Sequence, residues 1–141
     1  MTYALAWPIQ QALHARLAAD PAVAAILGER IYDAAPQVAG PLAAHGTYAT
    51  LGDDKAEDWS TATDHGARHL VSVTVHAPAA GFAEAKRAAG AICDALIGAP
   101  LAPSRGHVVS LGFVDAETRR AEGDRLREVV LRFRLLAEDT P

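Results

Sequence analysis

The stretch RHLVSVTVHA, residues 68–77, decides the fold class because its side chains alternate between apolar and polar. Val71, Val73 and Val75 occupy every second position, and serine, threonine and histidine stand between and after them. A period of two places the three valines on one face of an extended strand, and β-branched residues favour that conformation. The stretch therefore predicts a strand that buries one face and leaves the other face polar.

Three more segments have the composition or alternation of strands. Residues 47–51 (TYATL) are β-branched and aromatic, and residues 107–114 place Val109, Leu111 and Phe113 on one face. Residues 126–136 alternate apolar side chains with Val130 and two arginines. We also expect a short extended piece at residues 31–32.

Helical spacing appears before and between these strands. Ile9, Leu13 and Leu17 recur every four residues and predict a helix of about three turns that ends near Asp20. Asp20 and the proline after it predict the cap of a short helix, which Gly28 ends. Apolar residues at spacings of three and four predict a second main helix, namely Phe82, Ala85, Ala89, Ile92 and Leu96.

The order helix, strand, strand, helix, strand, strand predicts an α+β fold. The economical packing has two layers, a mostly antiparallel sheet of about four strands backed by two main helices. A chain of 141 residues fits one domain, spanning residues 1–141.

The excess negative charge is confined to one segment. The formal net charge is −4, and residues 52–66 (GDDKAEDWSTATDHG) hold five carboxylates and one lysine. We interpret this segment as an acidic loop between two strands, either solvated or used in assembly. A net negative charge argues against binding nucleic acid by neutralising phosphates. The candidate site residues of this loop are Asp53, Asp54, Glu57, Asp58, Trp59 and Asp64.

No motif of catalysis or metal binding is present in the sequence. Cys93 is the only cysteine, so no internal disulfide can form, and no apolar run is long enough to span a bilayer. We predict no catalytic residue, cofactor, metal or membrane contact. His65 and His69 have the spacing of two zinc ligands on a helix but lack the HExxH glutamate. The alternative is a small-molecule- or metal-binding α+β domain with enzymatic activity at these histidines and the loop carboxylates.

Charged residues near the C-terminus are candidates for a subunit interface. Residues 115–124 (DAETRRAEGD) read as an exposed hairpin loop, and arginines alternate outward along the last strand. Unpaired strand edges can join chains, although a solvated charged face is an equal reading of the same residues. The candidates are Arg119, Arg120, Arg132 and Arg134.

The order of these pieces resembles a known family. The quoted elements are LAADPAVAAILGERIYDAAPQ (17–37), TYATLG (47–52), ARHLVSVTVHAPAAGFAEAKRAAGAICDALIG (67–98), VVSLGFVDAETRRAEGD (108–124) and LREVVLRFRLLAE (126–138). Together they resemble the tail terminator, or tail-completion, proteins of long-tailed phages and gene transfer agents. The most specific elements are DPAVAAILGERIYDAAPQ and the strand-to-helix passage that ends in ALIG.

The resemblance implies a structural virion protein without a cofactor. Its family fold is a small α+β domain, similar to the terminator of lambda-like phages. Members form a ring, commonly of six copies, that caps the tail tube and joins it to the head connector, or stopper. The implied partners are further copies of the chain, the tail tube protein and the stopper, and DNA passes through the channel without specific binding.

The resemblance also suggests two uses for the acidic loop. If the loop borders the channel of a ring, its carboxylates repel DNA phosphates and keep the duplex from sticking to the wall. Alternatively, the loop orders when it contacts a partner subunit, with Trp59 as an anchor. A third reading folds Trp59 back onto its own domain.

Overall fold

A five-stranded mixed sheet, covered by helices on one face, forms the framework of the computed structural model. The structure describes residues 3–33, 46–78, 82–98, 100–121, 123 and 125–139. Within them the helices are α1 (Ala6–Ala19), α2 (Pro21–Leu27) and α3 (Ala83–Ile97). The strands are β1 (Ile31–Tyr32), β2 (Tyr48–Asp58), β3 (Gly66–Pro78), β4 (His107–Ala121) and β5 (Leu126–Glu138). None of these helices is long and apolar enough to cross a bilayer.

The strand order is β1-β2-β3-β5-β4, and every neighbouring pair is antiparallel except β1 with β2. The α+β class and its two layers therefore agree with the sequence prediction. The sheet has a fifth strand because the extended piece Ile31–Tyr32 pairs in parallel with Ala49 and Thr50. A third helix, α2, is present in addition to the two main helices.

The core lies between the helices and one face of the sheet. On β3 the odd-numbered residues from Ala67 to Ala77 are buried, which confirms the alternation predicted for residues 68–77. β5 presents its own odd-numbered residues, Val129 to Ala137, to the same core. β3 and β5 pair without interruption from Gly66↔Glu138 to Pro78↔Leu126, so the two apolar faces are continuous.

The short helix α2 begins and ends as its sequence predicts. The side chain of Asp20 accepts a hydrogen bond from the Val23 amide at 3.0 Å, with Pro21 in the first turn. Gly28 ends the helix with a φ of 58°, a backbone conformation that glycine adopts without steric cost. Arg30 then binds the Thr47 carbonyl through its Nε at 2.7 Å, which ties the end of α2 to the start of β2.

The predicted acidic loop is mostly a strand, so that prediction is wrong in its extent. β2 continues through Asp58 and pairs with β3 up to Asp58↔Ala67, with a bulge between Gly52 and Lys55. Only residues 59–65 connect the two strands. The residues 52–58 have little strand preference of their own, but the adjacent β3 edge satisfies their backbone groups.

The predicted exposed hairpin loop at residues 115–124 is also mostly strand. β4 extends to Ala121 and pairs with β5 from Asp115↔Arg132 to Ala121↔Leu126, while Glu122 and Asp124 lie outside the described residues. Opposite charges face each other at Asp115↔Arg132 and Arg119↔Glu128, which offsets the cost of charged residues in a sheet. The predicted β4 face changes too, because Val109 lies at a bulge and Val108 takes its place beside Leu111.

Candidate assembly surfaces

The second half of β2 contains four carboxylates and one cation, Lys55. These side chains lie on a strand rather than on a loop. Asp53 occupies the bulge with a φ of 51°. Asp54 accepts a hydrogen bond from the Tyr3 hydroxyl at 2.7 Å, and this bond raises the pKa of Tyr3. This hydrogen bond holds the chain segment before α1 against the bulge.

The end of β2 is partly neutralised by its neighbours. Glu57 lies 3.2 Å from Lys55 Nζ and 3.2 Å from Arg68 Nη1, and these cations, Lys55 foremost, lower the pKa of the Glu57 carboxyl. Asp58 accepts a hydrogen bond from the Ser60 hydroxyl at 2.6 Å, which lowers its pKa as well. The carboxylates of Glu57 and Asp58 are therefore ionised at neutral pH.

The loop that follows β2 is folded onto its own chain. The Trp59 amide donates to the Gly66 carbonyl at 2.9 Å, and its side chain is half-buried. A Cβ on Gly66 would lie 2.9 Å from Trp59 Cε3, so a glycine is needed where the indole packs. Asp64 is exposed and donates its amide to Thr61 Oγ1 at 3.1 Å, which closes the turn. Of the readings of Trp59, the structure favours packing against its own domain.

A row of four polar side chains crosses the open face of the sheet. We call these side chains, Thr50, His76, Arg119 and Glu128, the Glu128 cluster. The Glu128 carboxylate lies 2.6 Å from His76 Nδ1 and accepts from Arg119 Nε at 2.7 Å. His76 Nε2 lies 2.9 Å from Thr50 Oγ1. The four side chains come from β2, β3, β4 and β5, so the cluster ties four strands together, and the Tyr48 ring stacks on His76 at 4.5 Å.

The four candidate arginines fall into different environments. Arg119 belongs to the Glu128 cluster. Arg132 donates to Asp115 at 2.8 Å and contacts Glu117 at 3.5 Å, and the Asp115 carboxylate raises the pKa of Arg132. Arg120 is exposed near the end of β4. Arg134 is exposed and has no ion-pair partner among the described residues. Arg119 and Arg132 therefore already bind carboxylates of their own chain.

The histidine pair considered as a metal site is not a pair in the structure. His69 is fully buried on the core face of β3, beside a cavity of about 20 Å³ next to α1, whereas His65 is exposed in the loop. Burial lowers the pKa of His69, which keeps the ring neutral, and Asp54 opposes this effect in part. No group of three potential metal ligands occurs in the described residues. The zinc interpretation is not supported, because a spacing of four brings two residues together on a helix, whereas His65 lies in a loop and His69 in strand β3.

Sequence reasoning missed two exposed apolar surfaces. Trp7 on α1 is 62% exposed and lines a groove of about 420 Å³, and Tyr3, in the segment before α1, is 60% exposed. On β4, Val109, Phe113 and Val114 are 46%, 51% and 37% exposed. The exposure of Trp7 was predictable from the sequence. On a helix, Trp7 lies about 200° around the axis from Ile9, the first residue of the predicted apolar stripe, so its side chain points away from the core. The exposed surface of β4 was not predictable, because two bulges in β4 change the alternation of its side chains.

The polar and apolar surfaces of the sheet and of α1 indicate a class of protein. In the described part of the chain, polar groups of the sheet bind one another across strands, and the exposed features include apolar patches and charged strand edges. Such a surface is typical of an interaction module of a larger assembly.

Comparison with known proteins places the chain in a family. The profile of the family described as "Tail completion protein gp17" matches residues 11–138, and the chain belongs to this family. Among solved structures, it is similar to a chain of the "Virion of native gene transfer agent (GTA) particle", with 45% identity and a TM-score of 0.87. That alignment covers 97% of this chain and 99% of the other. No curated protein sequence matches significantly.

Membership of this family shows the general function of the protein. The protein is a structural component of a phage-like virion tail, and it is not an enzyme. The resemblance recognised from the sequence is thereby confirmed, and the enzymatic alternative at His65 and His69 is wrong.

Proposed function

We propose that this protein is a tail terminator, a subunit of a ring of six copies that caps the tail tube and joins it to the stopper of the head. The observation that carries the proposal is the match to a chain of a gene transfer agent virion over 97% of this sequence, together with membership of the tail completion family. The partners are then neighbouring copies, the tail tube protein and the stopper, and DNA passes through the channel.

The test is a particle preparation from a strain that lacks the gene. We expect electron micrographs to show tails of uncontrolled length and tails that are not joined to heads, and a plasmid-borne copy should restore both. Normal, joined tails in the deletion strain would refute the proposal.

The acidic half of β2 supports a further part of this function. In a ring, the carboxylates Asp53, Asp54, Glu57 and Asp58 repeat in every subunit, on a strand that holds them in place. If this strand borders the channel, it forms a wall that repels DNA phosphates, so that the duplex passes without adhering.

Neutralising these carboxylates tests the channel wall. We expect the variant with Asp53→Asn, Asp54→Asn, Glu57→Gln and Asp58→Asn to assemble and to deliver DNA more slowly. The defect should grow at low salt, because the Debye length rises from about 10 Å at 0.1 M to about 30 Å at 0.01 M ionic strength. The control replaces exposed carboxylates elsewhere, namely Glu29→Gln, Glu84→Gln and Asp94→Asn. Equal delivery by both variants at both salt concentrations would contradict the idea.

The loop of residues 59–65 supports a competing use of the same region. It is short, polar and exposed except at Trp59 and Ser60, so it can become more protected when a partner subunit covers it. Amide exchange on the free and the assembled protein separates the two uses: increased protection at residues 59–65, with Trp59 at its centre, indicates a contact. Unchanged protection would exclude the subunit contact and leave only the electrostatic role.

A further inference from the structure

His69 is a buried polar side chain at a position where the strand pattern calls for an apolar one. Among the odd-numbered residues of β3, which face the core, it is the one polar side chain. It is fully buried, and neither of its ring nitrogens has a hydrogen-bond partner among the described protein residues. Buried polar groups in folded proteins bind protein atoms or ordered water, because a buried group without a hydrogen bond is costly. The ring therefore needs a partner that its neighbours in the described part of the chain do not supply.

The cavity beside His69 has the size of one water molecule. Its volume is about 20 Å³, and a cavity of roughly 10–15 Å³ is enough to hold one water. An organic ligand is excluded by size, since an engineered cavity that binds benzene has a volume of about 150 Å³. Cavities with a purely apolar lining stay dry, but this one is lined by Gln10 and Asp54 as well as by His69. Its size and lining are those of a hydration site.

The cavity lies at the bulge of β2. The register of β2 with β3 shifts between Gly52 and Lys55, so Asp53 and Asp54 stand opposite the single residue Val71. The extra residue of a bulge is left out of the strand ladder, and its backbone groups need other partners. Gly52, Asp54 and Val71 all line the cavity. A water at this place therefore has polar partners on both strands.

The Asp54 carboxylate is suited to be the second partner of this water. The Tyr3 hydroxyl lies 2.7 Å and 2.9 Å from its two oxygens, and each oxygen can accept a further hydrogen bond. Burial lowers the pKa of His69, and the charge of Asp54 opposes this effect, which shows that the carboxylate acts on the ring.

Either tautomer of the neutral ring fits the same water. A water accepts a hydrogen bond from the N–H of one tautomer, or donates to the unprotonated nitrogen of the other, and in both cases it has a proton left for Asp54. The entropy lost when one water is held costs less than a buried polar group left without a hydrogen bond.

We propose that the cavity binds one structural water, which bridges the His69 ring of β3 to the Asp54 carboxylate at the bulge of β2. His69 is then a positioning residue. Through this water it fixes the bulge, and with it the direction of the acidic half of β2. The site belongs to the single subunit, so it does not depend on the proposed ring.

A high-resolution crystal structure of the full chain, grown at neutral pH, tests the water directly. We expect electron density for one water within hydrogen-bond distance of a His69 ring nitrogen and of an Asp54 carboxylate oxygen. A direct hydrogen bond from the His69 ring to a protein group, or a cavity without density, would overturn the proposal. This test uses the unchanged chain, so it remains decisive even where a variant does not fold.

Native-state amide exchange in solution tests the positioning role. His69→Leu keeps the core filled but removes the hydrogen bond to the water, so amides of residues 52–55 should exchange about tenfold faster while those of β5 keep their rates. His69→Gln, which can still donate and accept, should restore slow exchange at the bulge. Val73→Ala is the control, because Val73 faces the core from the same strand but does not line the cavity. It should change exchange at the bulge no more than elsewhere in the sheet.

The exchange data separate positioning from simple packing. If His69→Leu speeds exchange equally at the bulge and in β5, or if His69→Gln behaves like His69→Leu, the histidine only fills space in the core. The positioning role is then wrong, even when the crystal structure shows the water.

Discussion

Removing the Glu128 carboxylate tests what holds the four long strands of the sheet together. Glu128 and His76 have side chains that are only 9% and 12% exposed, whereas Arg119 is 53% exposed. Truncating Glu128 leaves the buried Nδ1 of His76 without this partner, and an unsatisfied buried polar group costs up to about 3 kcal/mol. An exposed arginine bound to the same carboxylate contributes less than about 1 kcal/mol.

These magnitudes predict a measurable shift. The entropy of unfolding is about 2.1 cal/mol/K per residue, so a 141-residue chain loses about 10 °C of Tm for 3 kcal/mol. We expect Glu128→Ala to lower Tm by about that amount in thermal unfolding followed by circular dichroism at neutral pH. Arg119→Ala should lower it by no more than about 3 °C.

The double variant completes the test. In the Glu128→Ala background, Arg119→Ala should add almost nothing, because the carboxylate that binds Arg119 is already gone. If Glu128→Ala costs no more than Arg119→Ala, burial of the His76 contact does not stabilise the sheet and the reasoning is refuted.

Two further predictions concern His69 and Gly106. Burial lowers the pKa of His69 below the value of about 6.5 for an unfolded chain, so the unfolded state binds more protons and stability falls as pH drops from about 7 to 5. His69→Leu should flatten that part of the curve of unfolding free energy against pH; a curve parallel to the wild type would contradict it. Gly106→Ala should lower Tm by several degrees, because its Cβ would lie 2.6 Å from the Glu138 carbonyl at a φ of +71°; an unchanged Tm would show that the 101–106 segment relaxes freely.

Periodic and capped segments were predictable from sequence. The alternation in β3 and β5 reports burial directly, because successive side chains of a strand point to opposite faces. Asp20 and Gly28 bound α2 in the structure as they do in the sequence, since a cap is a contact within a few residues. The family resemblance rested on these same elements and on their order.

The charged halves of β2 and β4 were not predictable in this way. Asp, Glu and Lys have low strand preference, so both segments looked like loops. Their pairing brings together Arg68 with Glu57 and Arg132 with Asp115, which lie 11 and 17 residues apart in the sequence. Local pattern holds no information about which charges will meet across a sheet.

The amino-acid sequence by itself determined the α+β class, the buried faces of β3 and β5, the ends of α2 and the family, because each depends on spacing within a segment or on the order of segments along the chain. Only the tertiary structure decided how far β2 and β4 extend, where Trp59 packs, and that His69 is buried in the core while His65 is exposed. It also decided which apolar side chains stay exposed at the two ends of the sheet. Those features arise from strand register and bulges, which are set when distant segments pair and their backbone groups find partners.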